Sequence, residues 1–281
     1  MPPSVAKMLQ AALCVALLIG APAGARAELS HGSEVPPPGV VAQLDRLAPQ
    51  RPGTVDLYAI LVGGDGSEDV FRKEVIEVRR VLEDRFDAAG RTVTLVNSKA
   101  SAEPEATLHS LAYALKRVAA TMNRNEDVLF LHLTTHGGSN HVLVLQHPER
   151  ELYGLSPQYL KALLDQAGIR FRVVVVSACY SGAFVAPLAG PSSLVITAAS
   201  STRQSFGCGN DSQITDFSRA FYLKALQQTR SFPAAARTAT QIVHELERSA
   251  GRKHSYPQMR LGAAIDDPLR SLEQRLGNGK R

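Results

Sequence analysis

The sequence predicts an α/β protein built on a mostly parallel central sheet with helices on both faces. Three runs, TVDLYAILVGG (54–64), DVLFLHLTTH (127–136) and RFRVVVVSAC (170–179), are long and apolar, and segments with helical spacing separate them. Long apolar strands interleaved with helices are the pattern of a parallel sheet covered on both sides. The chain has 281 residues, 44% apolar and 20% charged, which suits a globular protein with a proper core.

Taken in order, 54–64 reads as a strand and 67–86 as a helix with apolar residues at helical spacing. A strand follows at 91–97, then a helix over 104–122 with Pro104 in the first turn, where a proline is tolerated. The strand at 127–136 leads to a helix over 156–168, which has a serine cap with proline behind it. After the strand at 170–179 come SSLVITAAS (192–200), helices near 215–229 and 234–250, and a short closing strand, PQMRLGAA (257–264). One folded domain, residues 54–281, accounts for all of it.

What precedes that domain has a different character. Residues 1–27 carry one early lysine, an apolar stretch from Leu9 to Gly20, and Ala25-Arg26-Ala27, the small-x-small pattern of a signal-peptidase site. The expectation is a signal peptide and a periplasmic or secreted protein, not stably inserted in a membrane after cleavage. An uncleaved anchor is the alternative, with a stretch short for a bilayer span. Leu13 before Cys14 argues against a lipoprotein. Residues 28–53 are rich in proline and polar residues, as in a linker or surface-hugging arm.

Removing the first 27 residues removes Lys7 and Arg26 and lowers the net charge from +5 to +3. With no clustered basic face, no nucleic-acid partner is expected. Cys179 and Cys208 remain. In an exported protein two cysteines invite a disulfide reading, but the surroundings of Cys179 suggest another use.

In an open parallel sheet, ligands sit outside the carboxyl ends of the strands. One strand ends in THGGS, with His136 before two glycines, and another ends at Cys179, which opens YSGAFVAPLAG. If these strands are neighbours, His136 and Cys179 meet at one sheet edge. That suits a cysteine nucleophile: the thiolate is the reactive form, and both an imidazole and a helix amino end favour it. The histidine can then protonate a leaving amine. Gly137 and Gly138 let the backbone approach, so that a main-chain N–H can bind an oxyanion, with the Cys179 amide as second donor. Ser177, Ala178, Ser181 and Gly182 are small enough to leave room for an extended peptide. Alone, the cysteine reads as a small buried hydrophobe and the histidine as structural. Together, both at strand ends and both followed by small residues, they read as chemistry.

LFLHLTTHGG and VVVVSACYSGAF resemble the His-Gly and Ala-Cys blocks of the legumain-like cysteine peptidases, relatives of the caspases and gingipains. SSTRQSFGCG is similar to the segment after the next strand in bacterial members, and SYPQMRLGAA to their closing strand. The resemblance covers about residues 54–264 in order. It implies a caspase-like three-layer sandwich and an endopeptidase acting on peptide or protein substrates, with neither metal nor organic cofactor. His136 is then acid and base, Cys179 forms the thioester, and Gly137 supplies an oxyanion amide. Two departures stand out. Only about seventeen residues follow Ala264, so a large carboxyl-terminal inhibitory domain is absent from this sequence. Tyr180 stands where legumains carry an acidic residue, which bears on asparagine specificity.

In this fold the specificity pocket is lined by the loop after the first strand, the nucleophile segment and the loop after the following strand. The expected substrate-binding residues are Asp65, Tyr180, Ser181, Arg203 and Asp211. Asp65 lies about where legumains place an arginine, so one expectation is a preference for Arg or Lys before the cleaved bond. Asparagine is the fallback, and helix capping by Asp65 the competing reading. Other signals are weaker. VGGDGS lacks the third glycine of a dinucleotide loop, since Asp69 stands there. His132 and His136 have the spacing of a zinc pair but lie on a strand, where their shared face lets His132 support the site or pack in the core. NDS (210–212) fits a glycosylation acceptor, and no nucleophile elbow of a serine hydrolase exists. Two rival classes remain: an inactive binding protein on the same fold, and a transamidase resolving the same thioester with an amine.

Overall fold

Strand β1 (Leu57–Gly63) is buried at every residue. Successive side chains of a strand point to opposite faces, so a strand buried throughout must be covered on both. The computed structural model, which describes residues 39–151 and 154–278, has that arrangement. With β1 stand β2 (Thr92–Val96), β3 (Val128–Thr134), a two-stranded ribbon of β4 (Gln146–His147) and β5 (Arg150–Glu151), β6 (Phe171–Ser177), β7 (Ser193–Thr197) and β8 (Gln258–Leu261). The main sheet has the order β2-β1-β3-β6-β7-β8. All pairs are parallel except β7 with β8. This is a mostly parallel six-stranded sheet with helices around it, as the sequence predicted.

The helices divide between the two faces. On one lie α1 (Val40–Leu44), α3 (Leu108–Thr121) and α4 (Pro157–Ala167), which bury Leu44, Leu115 and Leu160 against the odd-numbered residues of β3. The other face holds α2 (Asp69–Phe86), the segment 216–228, α8 (Phe232–Ser249) and α9 (Asp266–Asn278), packed on Phe130, Val173 and Val175. Phe86, Phe130 and Phe232 form the aromatic centre of that layer, with ring centroids 4.6 and 5.1 Å apart.

Register places the site. Thr134 of β3 pairs with Ser177 of β6, so the chain leaves the two strands side by side, toward His136 and Cys179. The Thr135 N–H donates to the Ser177 carbonyl at 3.3 Å, extending the pairing one step past β3.

Local chemistry explains where the elements differ from expectation. Helix α3 starts at Leu108, not at Pro104, because Thr107 caps it by accepting from the Ser110 N–H at 2.9 Å. Pro104 instead lies in extended chain, its carbonyl accepting from the Val96 N–H, while the Asn97 side chain clamps Ala106 through both its N–H and C=O. The helix expected near 215–229 is irregular: α6 (Asp216–Ser218), a π-helical stretch Arg219–Ala225, and α7 (Leu226–Gln228). Short α5 (Val185–Leu188) completes the helices named here. α9 was not expected. It buries Leu269 and Leu272, and Arg275 reaches Asp87 at 2.6 Å.

Residues 39–53 pack on the sheet. Val40 and Leu44 are buried, the Tyr58 hydroxyl donates to the Ala48 carbonyl at 2.7 Å, and Arg51 bonds both Asp56 and Asp87. The expected signal peptide, 1–27, and the first part of the proline-rich segment, 28–38, lie outside the described residues. Among the described residues no helix is long and apolar enough to cross a membrane.

Candidate active site

Past β3, His136 is half-buried, and its backbone carbonyl accepts from the Val144 N–H at 2.9 Å. Phe71 of α2 meets the imidazole edge-on, with centroids 5.0 Å apart and planes at 86°. Among the described residues no side chain bonds the ring nitrogens, so the Phe71 contact is what aligns this ring.

Gly137 is pressed against the end of the neighbouring strand. A Cβ there would lie 2.1 Å from the Cys179 carbonyl oxygen and 3.4 Å from Ala178 Cβ. No side chain fits, which is why glycine follows this histidine. Gly138 is different: its added Cβ would meet chiefly the Asn140 side-chain oxygen, a less rigid obstacle. Among the described residues the N–H groups of Gly137 and Cys179 have no hydrogen-bond acceptor. Two unspent donors thus lie on the adjoining residues Gly137 and Cys179.

Cys179 is half-buried and free. The Ser205 N–H donates to its Sγ at 3.3 Å, and the sulfur lies 3.6 Å from the Ser205 carbonyl. Tyr180 turns the chain sharply, with φ 57° and ψ 14°, a left-handed conformation uncommon for a residue with a Cβ. Its N–H is held by the Arg203 carbonyl at 2.7 Å. Ser181 is fully buried, and its Oγ accepts from the Ala199 N–H at 3.1 Å; it braces the turn from within. A Cβ at Gly182 would strike the backbone of Ser200 and Ser201. The helix expected to aim its amino end at Cys179 is only a single 3-10 turn, Ser181–Phe184, before the one turn of α5. A dipole that short contributes little.

The expected specificity residues separate. Asp65 is buried, and its Oδ1 accepts from the Ser67 N–H at 2.9 Å and the Ser67 hydroxyl at 2.6 Å. It closes the turn ahead of α2, whose cap residue is Glu68. Asp211 is exposed in the turn after Asn210, which itself accepts from the Asp69 N–H at 2.9 Å. Tyr180 and Arg203 share an open cleft of about 280 Å³ with Gln204, Phe206, Lys253 and His254. Among the described residues no carboxylate lines it. Arg203 stands over the Tyr256 ring, 5.7 Å from its centroid.

Cys208 is also free. Burial pushes its thiol above the usual range, and the proximity of Cys179 adds to the effect. His132 is fully buried and bonded to Glu74. Sequence reasoning missed Glu74 altogether, although a glutamate between Phe71 and Val75 on the apolar side of a helix is itself a signal. Among the described residues no cluster of His, Cys, Asp or Glu could hold a metal ion.

Comparison with known proteins bears on the family and the fold. Residues 112–263 match the family model of the peptidase C13 family, which spans β3, β6, β7 and β8. Among solved structures, the crystal structure of caspase-1 from Spodoptera frugiperda is similar over 77% of this chain and 91% of that one, with a TM-score of 0.52 and 14% identity. At that identity the likeness establishes a caspase-like α/β fold. No curated protein matches this sequence.

Proposed function

Since this chain belongs to the peptidase C13 family, and so to cysteine peptidases, we propose that it is an exported endopeptidase with Cys179 as nucleophile and His136 as acid and base. The observation that carries the reading is the apposition of Gly137 and Cys179, with an unspent N–H on each. A substrate carbonyl placed over the thiol would meet both donors as its oxygen gains charge, and donors of this kind are worth roughly 100- to 1000-fold in rate.

In the first step the Cys179 thiol passes its proton to His136 and Sγ bonds the carbonyl carbon; the C–N bond then breaks as His136 gives that proton to the departing amine. In the second, water attacks the thioester, His136 takes the proton, and the C–S bond breaks. An amine in place of water gives transamidation with the same groups. An inactive binding protein would have no need of the two unspent amides or of the glycine between His136 and Cys179. Export rests on the pattern of residues 1–27.

The cleft beside Cys179 bears on the substrate. Arg203, Lys253 and His254 line it and, among the described residues, no carboxylate does, while Asp65 is turned to Ser67. This favours an acidic substrate side chain over the basic one expected from Asp65 alone. A quenched peptide, incubated with and without an added amine, tests the whole reading. Hydrolysis that Cys179→Ala and His136→Ala each abolish supports the endopeptidase, and an amine adduct as main product the transamidase. Neither product, with no labelling of Cys179 by a peptide electrophile, would reject catalysis.

A further inference from the structure

Beneath the two strand ends lies a polar core with one centre. The carboxylate of Glu74, on α2, accepts three hydrogen bonds. Its Oε1 takes His132 Nε2 at 3.1 Å and the Ser218 hydroxyl at 2.6 Å, and its Oε2 takes the Thr215 backbone N–H at 2.9 Å. The Tyr222 hydroxyl reaches His132 Nδ1 at 2.9 Å. Ser177 Oγ lies 2.9 Å from Thr215 Oγ1 and 3.2 Å from Ser218 Oγ. None of these six residues is more than 3% exposed.

The proton inventory closes. Three donors on one carboxyl group call for the ionised form, which only accepts. With His132 donating from Nε2, its Nδ1 accepts from the Tyr222 hydroxyl, so the imidazole is neutral and each of its nitrogens is used. The π-helical stretch from Arg219 to Ala225 presents Tyr222 to that nitrogen.

Each partner sits on a different part of the site. His132 precedes His136 by four residues on β3, and Ser177 ends β6 two residues before Cys179. Thr215 closes the loop that leaves β7, passes Arg203 and Ser205, and lays the Ser205 N–H on the Cys179 sulfur. Stability alone gives a weak reason for a carboxylate here, because well-packed apolar residues commonly replace buried polar groups at no loss. Phe71, Val75 and Val78, buried apolar residues of α2, lie within one turn of Glu74, so a leucine or methionine would suit this side of the helix.

We propose that Glu74 is a positioning residue for the peptidase reaction: it ties the loop carrying Arg203 and Ser205 to β3 and β6, and so holds the substrate-binding side of the site against Cys179. This rests on the peptidase reading above. Glu74 acts through the loop and not on the thiol.

The test replaces Glu74 by methionine, which fills the volume and offers no acceptor, and by glutamine, which can still accept from Thr215. In folded Glu74→Met, KM rises about 10-fold or more, and labelling by a peptide electrophile slows by a similar factor. Alkylation of Cys179 by iodoacetamide, which meets only the Ser205 N–H of that loop and none of the cleft, slows clearly less than labelling by the peptide electrophile. Glu74→Gln recovers most of the loss. An unchanged KM in folded Glu74→Met, or equal slowing of both reagents, would overturn the proposal. If the methionine variant does not fold, hydrogen exchange on the wild-type protein decides. Strong protection of the Thr215 amide supports the anchor, and exchange as fast as at exposed Gly209 refutes it. Wild-type protein that cleaves no peptide, yet protects Thr215, fails the peptidase reading while leaving the anchor intact.

Discussion

Gly137 packs its backbone onto the carbonyl of Cys179, so closely that a β-carbon would stand 2.1 Å from that oxygen. The obstacle is backbone, which cannot swing aside as a side chain would. A methyl group at 137 must therefore push the two strand ends apart, moving His136 and the Gly137 N–H together. A displacement near 1 Å costs about 100-fold when reacting groups must be aligned. Gly137→Ala is expected to fold and to lose about 100-fold or more in kcat/KM. Gly138→Ala, facing the movable Asn140 side chain, should lose far less. Near wild-type activity in Gly137→Ala would show that the apposition does not matter to the reaction.

The two thiols offer a second comparison. Cys208 is half-buried and its thiol is pushed up, first by burial and then by the charge a thiolate at Cys179 would bring. Less of it is thiolate at neutral pH, and the thiolate is what alkylates. Iodoacetamide at pH 7 should therefore modify Cys208 slowly, after Cys179, as read by peptide mass. Cys208→Ser should keep most activity. Loss of activity comparable to Cys179→Ala would mean that Cys208 takes part.

Much of this was legible before the fold. That His136 and Cys179 leave neighbouring strands follows from two apolar runs ending in chemically loaded, glycine-flanked residues, because parallel strands present such ends at one edge. Ser156 and Pro157 announced α4, since cap and first-turn proline lie within the segment itself. Pro104 misled because its fate depends on Asn97 and β2, partners outside its own segment. Asp65 was readable both ways, and the turn with Ser67 is the local one. Glu74 was visible as a charge on an apolar helix side, but its partner was not readable. Only the packing of α2 across β3 brings it to His132, 58 residues away.

That pair has its own consequence for stability. Burial would push the Glu74 carboxyl up, but the hydrogen bonds it accepts from His132, Ser218 and Thr215 hold it below its usual range. The unfolded chain then takes up the proton first as pH falls. The stabilising contribution is fully present above the ordinary glutamate value of about 4.3 and is lost as pH drops through the lower, folded value. Urea midpoints of the wild-type protein should hold steady from neutral pH to about pH 5 and fall below about pH 4. Folded Glu74→Gln, with nothing to protonate at that position, should show a shallower fall. Parallel curves for the two proteins would assign the acid lability to other carboxylates, such as Asp87, which Arg51 and Arg275 hold low against its partial burial.

The charge of the cleft decides the last prediction. Arg203 and Lys253 line it with Tyr180, the residue after Cys179, and among the described residues no carboxylate lies in the lining. Nearby carboxylates are engaged: Asp216 pairs with Arg252 at 3.0 Å, and Glu247 with His254 at 3.2 Å. Asp65, the reason to expect a basic side chain, already accepts two hydrogen bonds from Ser67. A guanidinium in an open cleft can take a carboxylate with two parallel hydrogen bonds, a geometry that lysine and histidine do not offer. A positional-scanning peptide library should thus favour Asp or Glu near the cleaved bond. Arg203→Glu should invert the preference, lowering kcat/KM for acidic peptides about 10-fold or more while Asp65→Ala leaves the ranking unchanged. The cleft is exposed, so the preference should weaken as salt rises through the range where screening falls below about 10 Å. Strong cleavage after Arg or Lys, abolished by Asp65→Ala, would return the specificity to the first loop.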